Sequence, residues 1–521
     1  MMTPPIFPLS SRDGEKVITM DDTEKGIPVL DVNYTSTTAP ETTPLPLSLQ
    51  IDPATERRLL WKIDRHVYPI LFVIYALSFL DRINISNARI QGLTKDLDLY
   101  GNRFNIALFV YFVPYILLEV PSNMIIKKVR PSYYLSGLMF TWGIVNMSMG
   151  FVQTYGQLVA LRFLLGALEA GVLPGIIYLT SMYYRHHDFQ LRISSYFVSV
   201  VVAGAFGGLL AYAIANLGGV RGLSAWRWIF IIEGAFTAII SALAVFLIVD
   251  WPHQCRFLSP SEKVLLATLL AQDKGAETAR MDILNRYAYK RIFTDVKIWL
   301  GALVYLGVGI TGYSLTFFLP TILVEFGWTA QEAQVHTIPV YAVTAVVMVL
   351  VAWLSDRLRH RYGFILFGCL LATIGYAILV HLSRGGSEAV NRSRNTLYGA
   401  IFITSIGGYI CTPMALAWLA NNIAGHWKRA FGSGIQVSLG NIVGIVASNI
   451  FLDSEAPRYP TGYGTAIAFT WIGGLAATVL FLVLKRENKL RDAGRRDERL
   501  NAPRDELENM GDYHPSFRFT P

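Results

Sequence analysis

Four residues stand where ionisable side chains are costly. Asp81 and Arg82 adjoin in the apolar run 67–88, and Arg162 and Glu169 share the run 157–183. A charged residue at the centre of a membrane helix costs about 2.5–3.5 kcal/mol on insertion scales, so such residues imply pairing, function or both. Arg162 and Glu169 are seven positions apart, which puts them on nearly one helix face, about two turns apart. If the two runs cross a bilayer in opposite directions, all four residues reach similar depths. Two guanidinium groups can then hold an anion while two carboxylates carry protons. The alternative is a pair of salt bridges that only lock two helices together. Glu119 in 104–126 and Glu233 in 228–250 read more simply as ties between helices or loops. The second half of the chain offers only His336 and His381, both near helix ends.

The elements that must carry these residues are long and apolar. The chain has 521 residues, 53% hydrophobic and only 16% charged, whereas a soluble domain carries about a quarter charged residues. Twelve apolar runs span 67–88, 104–126, 133–152, 157–183, 193–217, 228–250, 298–324, 335–355, 363–382, 396–420, 431–452 and 464–484. Each is long enough to cross a hydrocarbon core of about 30 Å. The expected fold is an all-α membrane protein of twelve transmembrane helices in two six-helix halves, 61–250 and 297–485. A basic linker, 251–296, joins the halves. Two matched halves suit a repeat-built secondary transporter. Residues 1–60, rich in Pro and Thr, read as a disordered cytoplasmic tail, and 486–521 as a second cytoplasmic tail. Gly171-Val-Leu-Pro-Gly175 and Gly204-Ala-Phe-Gly-Gly208 have the spacing that lets helices approach closely.

Basic residues set the expected orientation. Arg57, Arg58, Lys62 and Arg65 precede the first run, and Lys485, Arg486, Lys489 and Arg491 follow the last. With the basic linker they put both termini in the cytoplasm. Asn391-Arg-Ser, a glycosylation sequon, then faces outside. Asp356, followed by Arg357, Arg359 and Arg361, ends the eighth run at the cytoplasm. An acid beside a basic cluster at a helix end can pin neighbouring helices in one conformation and free them in another. The net charge of +8 belongs on loops facing anionic lipid and does not indicate nucleic-acid binding. Three cysteines, without a CxxC pair or a His/Cys cluster, give neither a disulfide scaffold nor a metal site. No GxxxxGK[ST], GxSxG or HExxH string is present, which argues against an ATP-driven pump and against an enzyme.

Several strings resemble the major facilitator superfamily and, within it, the anion:cation symporters of the fungal allantoate/nicotinate permease group. They are Leu80-Asp-Arg-Ile-Asn-Ile-Ser-Asn-Ala88, Glu119-Val-Pro-Ser-Asn123, Arg162-Phe-Leu-Leu-Gly-Ala-Leu-Glu-Ala-Gly-Val-Leu-Pro-Gly175 and Asn421-Asn-Ile-Ala-Gly-His-Trp-Lys-Arg-Ala430. The resemblance implies proton-coupled import of a small organic carboxylate, vitamin-like such as nicotinate or allantoate-like, by alternating access. It implies no cofactor beyond the proton gradient. It also assigns roles: Arg82 and Arg162 bind the anion, with Arg162 the main anchor, and Asp81 and Glu169 couple the proton, with Glu169 the principal carrier. Asn441 matches a substrate-contacting Asn in the eleventh helix. Tyr313, Thr316 and Tyr341 are expected to shape the site from the second half, and Asp356, Arg357 and Arg361 to gate it. The loop Asn123-Met-Ile-Ile-Lys-Lys-Val-Arg lacks the acid of the superfamily motif, which leaves that gate to the eighth helix. The expected partners are the substrate anion, the proton and the lipid bilayer, with the protein a monomer in the plasma membrane. A non-transporting nutrient sensor of the same fold and a proton-driven efflux antiporter are the alternatives.

Overall fold

The computed structural model describes residues 52–521 apart from 127, 277–285, 359, 504, 505 and 508. Most of the N-terminal tail expected over 1–60 lies outside the described residues. Its last part does not behave as a tail, because the first helix starts at Pro53. Proline is well placed in a first turn, where its missing N–H costs nothing. Leu59, Ile63 and Val67 then bury one face of the helix at a spacing of four.

All regular elements among the described residues are helical. The long helices are α1 (Pro53–Ala88), α2 (Arg103–Ile126), α3 (Pro131–Met149), α4 (Tyr155–Ser181), α5 (His186–Ala215) and α6 (Ala225–Leu247), then α7 (Val296–Glu325), α8 (Ala330–Leu358), α9 (Tyr362–Ser383), α10 (Arg394–Asn421), α11 (His426–Asn449) and α12 (Pro460–Asp492). Eleven are long and apolar enough to cross a bilayer. The exception, α3, is diluted by Ser132, Tyr133, Tyr134, Ser136, Thr141, Asn146 and Ser148. It packs along α6 through Gly143, where an added Cβ would lie 2.8 Å from the Ala238 nitrogen. The halves meet where α1 packs on α7, α2 on α11 and α5 on α8. At the last seam Gly204 faces the ring of Tyr341, 2.9 Å from where a Cβ would sit. An even number of crossings brings Pro53 and Asp492 to one face, called here the terminal face; Asn391 is exposed on the opposite, far face.

Two prolines place the key helix breaks. A proline has no N–H for the carbonyl four residues before it and clashes with that carbonyl. Pro114 breaks α2 at Val110–Tyr111, and Pro174 breaks α4 at Ala170–Gly171, directly after Glu169. Gly166 lets the Tyr111 backbone press against α4.

The linker holds two helices, Pro260–Ala276 and Arg286–Phe293. Beyond α12, the C-terminal segment is docked against the second half. Asp512 is fully buried and ion-paired to Lys297 at 2.7 Å and to Lys428 at 2.6 Å. Burial alone raises its carboxyl, but the two lysines outweigh that and hold it down at about 2.

Candidate functional site

A cavity lies between the halves, with walls from α1, α2, α4, α5, α7, α8, α10 and α11. Tyr75, Phe79, Tyr115, Tyr305 and Tyr409 make it aromatic. Among its lining residues Arg82 alone carries a full positive charge. The guanidinium sits over the rings of Phe79, Tyr111 and Tyr115, 4.5, 5.0 and 5.3 Å from their centroids. Such a cage holds a cation without neutralising it. Its Nη2 donates to Glu169 Oε2 at 3.3 Å, and its Nε is unpartnered.

Glu169 is fully buried, and all its bonds fall on one oxygen. Oε2 accepts from Tyr111 at 2.7 Å, Ser78 at 3.0 Å and Arg82, while Oε1 has no partner. The proline breaks explain the meeting, since they place Tyr111 and Glu169 at facing interruptions of α2 and α4. Asp81 is treated differently. Its Oδ1 accepts from Asn146 at 2.6 Å and Asn84 at 3.4 Å, and its Oδ2 from Thr237 at 2.9 Å and Trp142 at 3.0 Å. Four neutral donors from α1, α3 and α6 thus solvate it on the side away from the cavity. The ion pair in this cluster joins Arg82 to Glu169 and leaves Asp81 out. Arg162 is 2% exposed, does not line the cavity, and has neither Nε nor Nη2 bonded. Its charged neighbours are Glu169, Asp81 and Arg82. Of the four residues in the first half, one therefore faces the cavity and three stand behind it.

From the second half, Tyr313, Thr316 and Asn441 line the cavity. Tyr313 donates to Asn441 Oδ1 at 2.9 Å, and Thr316 shares a 3.0 Å bond with Tyr409. The Asn441 Nδ2 donor is buried without a partner. Tyr341 is buried against Gly204 and does not line the cavity. Glu119 bridges the halves by accepting from Ser438 at 3.2 Å, and neither oxygen of Glu233 is bonded. The aromatic wall had a signal that the charges overshadowed: Tyr75 and Phe79, and Tyr305 and Tyr313, repeat at helical spacing on one face.

A second cavity adjoins the first through Leu173 and Phe197. It lies between Ile177, Phe189 and Ile193 on one side and Leu416, Ala420 and Ser433 on the other, and so leads toward the terminal face. The far face is latched. Arg89 pairs with Asp453, Gln91 donates to Gln334 at 3.1 Å, and Asn105 to the Phe451 carbonyl at 3.3 Å. Of the expected gate on α8, the side chain of Asp356 lies outside the described residues. Arg357 is exposed over the ring of Trp353, and Arg361 directly precedes α9 without a side-chain capping bond to it.

A cavity at mid-depth between two six-helix halves, latched on one face, suits carriage of a solute from one side to the other. Comparisons with known proteins agree. The model of the Major Facilitator Superfamily matches residues 71–448. An uncharacterized transporter of Schizosaccharomyces pombe is 35% identical over 91% of each chain. The high-affinity nicotinic acid transporter of Saccharomyces cerevisiae is 31% identical, over 89% of this chain and 85% of its own. The crystal structure of a D-xylose–proton symporter superposes with a TM-score of 0.60 at 14% identity, over 81% of this chain and 97% of that one. The protein belongs to the major facilitator superfamily, among its fungal members, and is a multi-pass membrane transporter rather than an enzyme.

Proposed function

We propose that the protein imports a small organic carboxylate together with a proton, by alternating access. The observation that carries this reading is Arg82: a caged cation in the cavity wall, bonded to one oxygen of a buried Glu169 whose other oxygen is free. An incoming carboxylate competes for Arg82, which can present two parallel donors to it. Glu169 then loses its cationic partner in a dry surrounding and takes up a proton. Anion and proton bind with positive coupling, each raising the affinity for the other. The unpartnered Arg162 guanidinium behind them supports the proton's later release, by favouring ionised Glu169. Asn441 Nδ2 offers the substrate a donor from the other half. The aromatic wall and the nicotinic acid transporter relative favour a flat, vitamin-like monocarboxylate over an allantoate-like ureide. On this reading the terminal face is cytoplasmic, and the protein works as a monomer in the plasma membrane without a cofactor.

The test is uptake of labelled nicotinate and a panel of small carboxylates by permease-deficient yeast. Import should rise as the medium is acidified from about pH 7 to about pH 5, a range over which carboxyl groups begin to hold protons, and collapse with a protonophore. Uptake indifferent to both removes the proton from the mechanism. Failure of every carboxylate in the panel removes the anion.

A further inference from the structure

We propose that the docked C-terminal segment, the described residues of 493–521, braces the gate at the terminal face, with Asp512 as its positioning residue. The second cavity marks that gate. For the terminal face to close, Leu416, Ala420 and Ser433 on α10 and α11 must meet Ile177, Phe189 and Ile193 on α4 and α5. The C-terminal segment holds α10 and α11 just beside that surface. Trp418 Nε1 donates to the Thr520 carbonyl at 2.9 Å, and Asn422 exchanges bonds with the Thr520 backbone at 2.8 and 3.0 Å. Lys428, in the first turn of α11, is fully buried between Asp512 and Asp295. Asp295 caps α7 by accepting from the Lys297 backbone at 2.9 Å. Two lysines and two aspartates thus form a neutral cluster that joins the first turns of α7 and α11. Without Asp512, two buried cations share one carboxylate.

The far end of the segment is anchored on α12, which does not line the second cavity. Asn488 exchanges two 2.9 Å bonds with the Phe519 backbone, and Arg491 donates to the carbonyls of Asp512, His514 and Phe517. Phe519 itself is buried in the core cluster that contains Trp418. The linker is included, because Arg291 of its second helix pairs with Glu506 at 3.3 Å. These contacts tie α7, α10, α11 and α12 to one segment on the second half's side of the gate.

The experiment needs no substrate. Full-length protein carrying Ser433→Cys is reconstituted, and its labelling by a maleimide is followed peptide by peptide. Native Cys369, fully buried in the second half, reports general loosening. Asp512→Asn should speed labelling at position 433 by about fivefold or more, as a local opening does, while Cys369 stays silent. Asp512→Asn with Lys428→Gln removes one charge of each sign, leaves Lys297 paired with Asp295, and should return the rate to within about twofold. Asn488→Ala acts through the segment from α12 and should speed labelling by a smaller factor. It also serves if Asp512→Asn does not fold. A disulfide between Arg291→Cys and Glu506→Cys should leave labelling unchanged, because a brace stays docked. Unchanged labelling in Asp512→Asn or Asn488→Ala overturns the proposal. So does parallel labelling of Cys369, failure of the neutral double variant to restore the rate, or a disulfide that abolishes labelling.

Discussion

Each half buries an ionic cluster, and the two clusters are built to opposite rules. In the second half Lys297, Lys428, Asp295 and Asp512 pair with one another at the terminal face, and the formal charges cancel. In the first half the cluster lies at cavity depth and is incomplete: among the described residues Arg82 and Glu169 alone are ion-paired in it, Arg162 leaves Nε and Nη2 unbonded, and Glu169 uses one oxygen of two. A buried charge left unsatisfied costs more than any pair gains. A complete cluster therefore reads as architecture, and an incomplete one as a site waiting for partners that come and go.

The largest expected effect is at the point where the incomplete cluster meets the cavity. Arg82→Ala should lower uptake by more than about 100-fold, about 2.7 kcal/mol of lost transition-state stabilisation, at matched surface expression. Full retention of uptake would mean that the cavity cation is structural. Next is Glu169→Gln, which mimics the protonated acid. Proteoliposomes should lose pH-driven accumulation yet keep substrate exchange, since exchange releases no proton. A variant that still concentrates substrate transfers the proton role to Asp81 or elsewhere.

Stability sharpens the contrast. Lys428→Met leaves two carboxylates facing one lysine and should cost about 3–5 kcal/mol, the usual penalty for breaking a buried pair from one side. Arg162→Met removes a cation that has no bonded partner and should cost less stability than Lys428→Met, while lowering uptake by less than Arg82→Ala does. Thermal unfolding in detergent gives both numbers, and equal losses would erase the distinction drawn here. The smallest effect is expected at Tyr341. Its ring packs on Gly204 away from the cavity, so Tyr341→Phe should change the uptake KM by less than about twofold.

Much of this contrast could be read in the sequence. Twelve apolar runs are a strong signal because a helix must be long to cross lipid. The four ionisable residues stood out because such residues are rare there. What could not be read was phase. Seven positions between Arg162 and Glu169 fix their common face, but which face meets the cavity depends on how α4 packs. The same holds for Asp81, whose four donors come from three helices. The docked C-terminal segment was invisible for another reason. Asp512, Lys297 and Lys428 are far apart in sequence, and each looks like an ordinary solvated charge in a polar stretch. Tyr341 was expected at the site on residue type alone, whereas the glycine opposite it on α5 decides where its ring goes.

The latch on the far face has an electrical consequence. A cavity that joins water at the terminal face carries that side's potential down to its floor. The membrane voltage then falls across the thin layer where Phe104 meets Phe318, Phe318 stacks on Phe451, and Arg89 lies over Phe104. Each unit charge that crosses this layer is worth about 2.3 kcal/mol per 100 mV. Aromatic rings make the layer an insulator as well as a plug, and Arg89 with Asp453 sits inside the steepest part of the field. If the latch moves to the other face, as the proposed alternating access requires, the steep region moves with it, and voltage then acts on the conformational change even when the cavity is empty.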